Sequence, residues 1–566
     1  MRWKFRQGDE DVARSLAESL DLPLKVGAFL AGRGFVDHSA VRKFRDTAMK
    51  DLPGPETMPG MDQAVELLLE ARRQGALVAV SGDYDADGLT ASALLKRVLE
   101  PLGFSVVVRI PNRLTEGYGL SVAAVKELFD KGAKYLVTVD SGVSDSEAVM
   151  EALNLGLKVI ITDHHQLPPT LPKAAAIVNP HLGGGWEKAP LAGVGVAFML
   201  AWAVRRACPD VDRQAVNLVE HLSLVALGTI ADLAPLVGPN RTMVHHGLNF
   251  LLASAWPGLA AMRKILKLDG QSRLSVRDVG FKLAPRLNAA GRLGSADPAL
   301  EILLTDDPAQ ADVLARELEA INRKRFEAQA ELVEEALELL EHDCPTHYRT
   351  IVLAKEGWPR GLLGLGASKV AERTGRPTLI FSIDGDLAVG SGRTAGNFDL
   401  YEALSLVRSY CRSMGGHSQA AGLRVSLEKL EIFKEAFEKA AQEQSWSMAE
   451  SELAIDVSAT IPELSALASG FATMEPFGQG NPPPVIVLFG LKVLAASTGK
   501  AGRVELRLSD GFNRFNISGF NLSSRYEEIG PIMDVVLTFE PENNSYGNIW
   551  RLTDFRQPAS DSNPRF

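Results

Sequence analysis

Leu77-Val78-Ala79-Val80-Ser81-Gly82-Asp83-Tyr84-Asp85-Ala86-Asp87-Gly88 joins a short apolar run to a carboxylate-rich turn, and a helical stretch, Thr90–Leu99, follows. The arrangement then recurs. Phe104–Ile110, Tyr135–Val139, Leu157–Thr162 and Ala175–Val178 are further apolar runs, with Ser121–Lys131 helical among them. Strands alternating with helices predict a parallel sheet with crossover helices. Ligands of such sheets bind outside the carboxyl ends of the strands. Three of these ends carry acids or imidazoles: Asp83, Asp85 and Asp87 after the first strand, Asp140 after Val139, and Asp163-His164-His165 after Thr162. Asp232 follows the small-residue run Leu227-Gly228-Thr229-Ile230-Ala231 and is a fourth acidic candidate.

Carboxylates gathered on one sheet edge repel unless a cation lies between them. Hard divalent ions prefer carboxylates, and imidazole shifts the preference toward Mn²⁺. Asp83, Asp85 and Asp87 also fit the start of an EF-hand loop. That loop needs a bidentate Glu at its twelfth position, where this chain has Leu94, and here the acids follow a strand. Two ions about 3.5–4 Å apart, sharing one carboxylate, would activate a water and neutralise phosphate oxygens. Asp140, alone between the other clusters, is the expected bridge.

Composition sets wide bounds. The 566 residues carry a net charge of −10, with 46% hydrophobic and 23% charged residues, as in ordinary globular chains. The acidic balance leaves nucleic acid open as a partner, because local field rather than total charge steers a polyanion. Cys208, Cys344 and Cys411 lie far apart with no CxxC pair, which excludes a disulfide framework and a cysteine-based zinc ribbon. The opening Met1–Asp11 turns acidic at once, so no secretory signal is expected. The apolar run Ala189–Val204 falls short of the about 20 residues of a spanning helix. These features predict a cytoplasmic protein without membrane partners.

Further along, Pro308–His342 reads as one helix with a stripe of Leu314, Leu318, Ile321, Phe326, Val333, Leu337 and Leu340. At 1.5 Å per residue it would span about 50 Å, as a strut between domains would. Arg349–Ala354, Leu362–Arg373 and Thr378–Ser382 outline a smaller α/β unit. Beyond about 452, short runs such as Arg503–Leu508, Arg514–Phe520, Asp534–Phe539 and Asn548–Thr553 predict a small antiparallel barrel or sandwich. The expected fold is multidomain α/β. Residues 1–50 form a helical preface to the sheet domain at 51–305. The connecting helix occupies 306–347, the second α/β unit 348–450, and a C-terminal β-rich unit 451–566.

These residues resemble the DHH phosphoesterase superfamily, named for the triplet that is Asp163-His164-His165 here. Arg286-Leu287-Asn288-Ala289-Ala290-Gly291-Arg292, Ser391-Gly392-Arg393, Gly415-Gly416-His417 and Pro476-Phe477-Gly478-Gln479-Gly480-Asn481-Pro482 extend the resemblance to its single-strand-specific DNA exonucleases. The resemblance implies a parallel-sheet DHH domain, a DHH-associated domain and an OB-like nucleic-acid-binding domain. It implies a 5′-to-3′ exonuclease that degrades single-stranded DNA to 5′-mononucleotides in repair and recombination. Mn²⁺ or Mg²⁺, two ions in number, would be the cofactor. The implied ligands are Asp85, Asp87, Asp140, His164 and Asp232, with Asp83 serving the first ion or orienting a ligand, and His165 either supporting a ligand from behind or contacting the phosphate. A single-strand-binding protein and a helicase are implied partners of a monomer.

On chemistry alone, a Ser-Gly-Arg turn offers a hydroxyl, close backbone approach and a guanidinium fork for phosphate. Gly415-Gly416-His417 allows a nest of amides facing an anion. Arg113, Arg286, Asn288, Arg292, Ser391, Arg393, Gly416 and His417 are therefore the candidate phosphate and DNA contacts. Arg503, Arg507 and Arg514 could track a strand. Of Phe512, Phe515 and Phe520, which could stack on bases, at least two are expected in the core. Pro476–Pro482 reads as a rigid turn. The rivals are a phosphodiesterase of small nucleotides, opposed by the extra β-rich region, and a non-catalytic DNA scaffold, opposed by the intact ligand set. A helicase is opposed by the lack of a GxxxxGK[ST] loop.

Overall fold

Leu77–Ser81 lies second in a five-stranded sheet ordered Ser105–Arg109, Leu77–Ser81, Ala133–Val139, Lys158–Thr162, Ala176–Val178. The sheet belongs to a computed structural model that describes residues 2–343, 347–446, 452–540 and 549–558; Cys344 and the tail 559–566 lie outside the described residues. Every neighbouring pair is parallel. Ala133–Val139 and Lys158–Thr162 are buried on both faces, as their unbroken apolar runs require. From Leu77–Ser81 the chain first adds Ser105–Arg109 on one side, then returns to add Ala133–Val139 on the other. That reversal opens a crevice at the carboxyl ends of two neighbouring strands. Asp83–Asp87 and Asp140 stand at its mouth.

The helix Pro308–Asp343 is 36 residues long, about 54 Å at the usual rise. Its first half puts Ala311, Leu314, Ala315 and Leu318 into the core of the sheet domain. Its second half puts Leu332 and Ala336 into another core, with Ile351, Trp358 and Leu363. One continuous helix thus sets the spacing of two domains. Phe326, expected in its stripe, is 53% exposed, with Arg325 stacked 3.6 Å from its ring.

The second domain has a mixed sheet ordered Cys411–His417, Ala420–Ser426, Leu387–Arg393, Thr378–Asp384, Ile351–Glu356, of which only the last pair is parallel. The C-terminal barrel is built around Val485–Gly499, whose first half pairs with Ile532–Phe539 and second half with Arg503–Ser509. Register breaks at both pairings bend this strand from one side of the barrel to the other.

The N-terminal segment is helical over Glu10–Leu20, Leu24–Gly32 and His38–Arg45, but Arg2–Phe5 is a strand that pairs with Glu452–Ile455. Its packing corrects the expected preface to the sheet domain. Leu16, Val26, Phe29, Leu30 and Val41 share one core with Phe471, Leu488, Leu537 and Trp550 of the C-terminal unit. Amphipathic periodicity shows that a helix buries a face; it does not show against what.

Candidate active site

Asp85 caps the helix Ala86–Leu99, accepting from the amides of Asp87 (2.9 Å) and Gly88 (3.1 Å). Gly88 must be glycine, since a Cβ there would lie 2.5 Å from the Asp83 nitrogen. Asp87 is buried and accepts from Gly193 N (2.6 Å) and Val194 N (2.9 Å) at the start of the helix Gly193–Ala207. Free amides at a helix N-terminus hold a carboxylate in place. Asp140 leaves its strand with φ +58°, its amide tied to Thr162 O at 3.1 Å. A Cβ on Gly193 would collide with the Asp140 side chain at 2.6 Å, so this glycine makes room for the acid.

Asp163 organises the histidines. Its Oδ1 accepts from His164 N (2.7 Å), His165 N (3.0 Å) and His165 Nδ1 (2.8 Å), and its Oδ2 from Val143 N (3.1 Å). His164 Nε2 then sits 3.0 Å from Asp140 Oδ1 and 3.8 Å from Asp87 Oδ2, with its Nδ1 3.9 Å from Asp232 Oδ2. Tyr118 closes one side, donating to Asp140 O at 3.1 Å with its ring edge-on to His165. Tyr118 and the Gly193–Val194 amides were not among the sequence candidates, and Asp163 was placed in the strand-end cluster without a role of its own. The triplet pattern could have signalled Asp163; Tyr118, in an irregular loop, gave no signal.

The electrostatics are those of a cation site. Burial pushes Asp83 and Asp140 well above the carboxylate range, and neighbouring carboxylates push further. Burial raises Asp87 to about 7, helped by Asp232 and Asp85. Burial and then Asp85 raise Asp232 to about 7. Burial lowers His164 and keeps its lone pairs available. Burial would also lower His165, but the bond to Asp163 and its charge raise it to about 9. Asp83 Oδ1, Asp140 Oδ1 and His164 Nε2 are buried without a hydrogen-bond partner. Unpartnered buried acceptors crowded together fit a divalent ion. Ligand atoms of Asp83, Asp85 and Asp140 lie within 4.8 Å of one another, and so do those of Asp87, His164 and Asp232, and of Asp140, His164 and His165.

A pH dependence follows. Asp87 and Asp232 titrate near 7 when folded and near 3.8 when unfolded. Between these values the folded state binds more protons, so metal-free stability from these groups falls as pH rises from about 4 through 7. Mn²⁺ must displace those protons, so its affinity rises over the same range. Thermal melts should show a larger Mn²⁺-induced increase in Tm at pH 8 than at pH 6; an equal increase would contradict the assignment.

Arginines flank the acids. Arg113 stacks 4.8 Å from the Tyr84 ring. Arg292 is lowered to about 10 by burial and then by Arg113. Arg393 is lowered by burial and then by Arg113. Arg113 is thus within electrostatic reach of both Arg292 and Arg393, and none of the three has an ion pair with a carboxylate among the described residues. Ser391 joins them, its Oγ 3.4 Å from Arg393 Nη1. Gly415-Gly416-His417 lies in register with Ser391-Gly392-Arg393 across the strand Ala420–Ser426. The partners of Gly422, Ala421 and Ala420 on its two sides are Ser391 and Gly415, Gly392 and Gly416, Arg393 and His417. The two motifs thus flank the strand Ala420–Ser426 on its two sides, with Cys411–His417 at the edge of the sheet.

Two candidates face elsewhere. Arg286 Nε is paired with Glu319 at 2.8 Å and its Nη1 with Lys282 O at 2.7 Å. Asn288 Oδ1 accepts from Ala86 N at 2.7 Å, which fixes the acidic turn rather than a phosphate. On the barrel only Phe515 packs inward; Phe512 is 97% and Phe520 48% exposed, so two of the three are not core.

The comparisons agree with this geometry. Family models match at 77–229 (DHH family, N-terminal domain), 347–443 (DHHA1 domain) and 455–553 (RecJ OB domain). The single-stranded-DNA-specific exonuclease RecJ of Bacillus subtilis is 34% identical over 97% of this chain and 69% of its own. That of Escherichia coli is 36% identical over 83% of this chain and 85% of its own. The chain belongs to the RecJ family. The RecJ of Thermus thermophilus in complex with Mn²⁺ superposes with a TM-score of 0.84 at 30% identity, covering 99% of this chain and 80% of that one. Its Mg²⁺ complex gives 0.78 at 29% identity, covering 99% and 79%. The β-rich unit is thus the RecJ OB domain, and no described helix is long and apolar enough to cross a membrane.

Proposed function

We propose that this RecJ-family chain hydrolyses single-stranded DNA from its 5′ end and releases 5′-mononucleotides. The carrying observation is a buried carboxylate and imidazole centre flanked by arginines without acidic partners. Asp83, Asp85 and Asp140 would hold one Mn²⁺ or Mg²⁺, Asp87, His164 and Asp232 the second, with Asp140 next to both sets. Bound there, such ions supply an acidified water and counter-charge for phosphate oxygens. The chain's own groups do the positioning. His165, oriented by Asp163, faces the phosphate to be cleaved. Arg113, Arg292, Ser391 and Arg393 hold a terminal 5′-phosphate, and the sheet edge at Gly416 and His417 accepts the following backbone. A passage between the two α/β domains, spaced by the strut helix, would admit one strand and exclude a duplex, so width rather than base identity would select a single strand. A helicase and a single-strand-binding protein would present that strand, and one chain suffices because each ligand set is complete within it.

A charge-assisted hydrogen bond contributes about 1.5–3 kcal/mol, or roughly 10–150-fold in rate, and the lower end is taken for each of two partly solvated arginines. Arg113→Ala with Arg393→Ala should therefore lower kcat/KM on a 5′-phosphorylated strand about 100-fold and abolish its advantage over a 5′-hydroxyl strand. Equal losses on both strands would contradict the end-binding role.

A further inference from the structure

The loop Pro476–Pro482 lies in the C-terminal unit, yet it is bound to the segment that follows Asp232. Leu236 N donates to Gln479 O at 2.7 Å. A Cβ on Gly478 would lie 2.7 Å from Leu236 Cδ1, and one on Gly480 3.2 Å from Pro235 Cβ. The loop is itself held from both sides. Asn481 Nδ2 donates to Met474 O and Pro476 O, both at 2.9 Å, and buried Arg241 donates to Met474 O, Glu475 O and Pro476 O. Only three residues separate Asp232 from Leu236. Asp232 and Ala234 are pinned to the preceding helix through Gly228 O and Thr229 O, while Leu233 turns the chain with φ +58°. The segment also reaches the opposite side of the centre. Buried Asn240 donates to Pro235 O (3.1 Å) and Pro190 O (2.8 Å), and Pro190 leads into the Gly193–Val194 amides that hold Asp87.

We propose that Pro476–Pro482 is a positioning latch: docking of the C-terminal unit sets where Asp232 and Asp87 stand, and so how tightly their shared ion binds. The inference rests on the metal-site reading above. It gives the C-terminal unit a second task besides contact with DNA, and gives Asn481 and Gly478 a function without contact to ion or substrate.

Two variants of the full chain test this. Gly478→Val leaves the backbone unstrained and pushes on Leu236. Asn481→Ala loosens the loop while Arg241 still donates to the same carbonyls, which keeps this variant folded. Metal-free protein is titrated with Mn²⁺, free Mn²⁺ being read by electron paramagnetic resonance. Supporting residues of metal sites typically change affinity by about 10–100-fold. Each variant should weaken one of two Mn²⁺ sites about tenfold and leave the other within about threefold. The Mn²⁺ needed for half-maximal hydrolysis should rise in parallel, and saturating Mn²⁺ should restore the rate. Single-strand affinity in EDTA should not change. Unchanged Mn²⁺ binding with a lower Tm would make the loop mere interdomain packing, and unchanged Mn²⁺ binding with lost strand affinity would make it a DNA contact. Either overturns the latch alone. Failure of the unaltered chain to bind Mn²⁺ would overturn the centre, and the latch with it.

Discussion

Asp140→Asn should cut hydrolysis of single-stranded DNA about a thousandfold while leaving strand binding in EDTA intact. The magnitude follows from the several kcal/mol of charge stabilisation that a catalytic ion contributes, at tenfold per 1.4 kcal/mol. Asparagine is the informative replacement. It keeps the shape beside Gly193 and tolerates the left-handed backbone at φ +58°. It removes a charge that burial, then Asp87, Asp85 and Asp83, disfavour in the metal-free state. The variant should therefore melt no lower than the native chain without metal, yet lose the Mn²⁺-induced rise in Tm. Retained hydrolysis at saturating Mn²⁺ would remove Asp140 from the centre. A collapse in metal-free stability would mean that its role is architectural.

The largest effect on stability is expected at Arg241, outside the centre. Its guanidinium is 2% exposed and donates to Phe44 O (2.8 Å), Pro476 O (3.0 Å), Met474 O (2.9 Å) and Glu475 O (2.7 Å). It also stacks 3.9 Å from the Phe44 ring. Burial lowers this guanidinium to about 10, an effect that Glu475 opposes. One side chain thus joins the sheet domain, the N-terminal segment and the C-terminal loop. Arg241→Met fills similar volume but strands these carbonyls. Leaving a buried acceptor unsatisfied typically costs about 1–3 kcal/mol. Asn481 shares two of the carbonyls, so a loss of about 3 kcal/mol is expected. Urea unfolding followed by tryptophan fluorescence reads it, since Trp3 and Trp550 lie in the affected unit. A loss below about 1 kcal/mol would show that the guanidinium is dispensable.

The catalytic sheet was legible because its strands are buried on both faces and therefore read as unbroken apolar runs, with acids and imidazoles confined to their carboxyl ends. The strut helix was legible from its length. The long strand Val485–Gly499 was not, since Gly490 interrupts it with φ +63° and its pairing changes partner along its length. In the motif Arg286–Arg292 every polar residue looked like a ligand for phosphate. On the helix Ala284–Leu293 a spacing of two residues turns a side chain to another face. Arg286 accordingly meets Glu319 while Asn288 meets Ala86; Arg292, four residues beyond Asn288, shares its face and reaches the same acidic turn and Arg113. The partner of the N-terminal helices was invisible for a different reason: it lies more than 400 residues away, and nothing local encodes it.

The central claim is 5′-end-directed hydrolysis of a single strand by the acid and imidazole centre. The most direct test is a degradation time course in Mn²⁺ on two otherwise identical single strands, one labelled at the 5′ end and one at the 3′ end, with blunt duplex and EDTA controls. The account predicts immediate release of labelled mononucleotide from the 5′-labelled strand, progressive shortening of the 3′-labelled strand, an untouched duplex and no product in EDTA. Turnover of dinucleotides with long strands left intact, or strand binding without any cleavage, would contradict it.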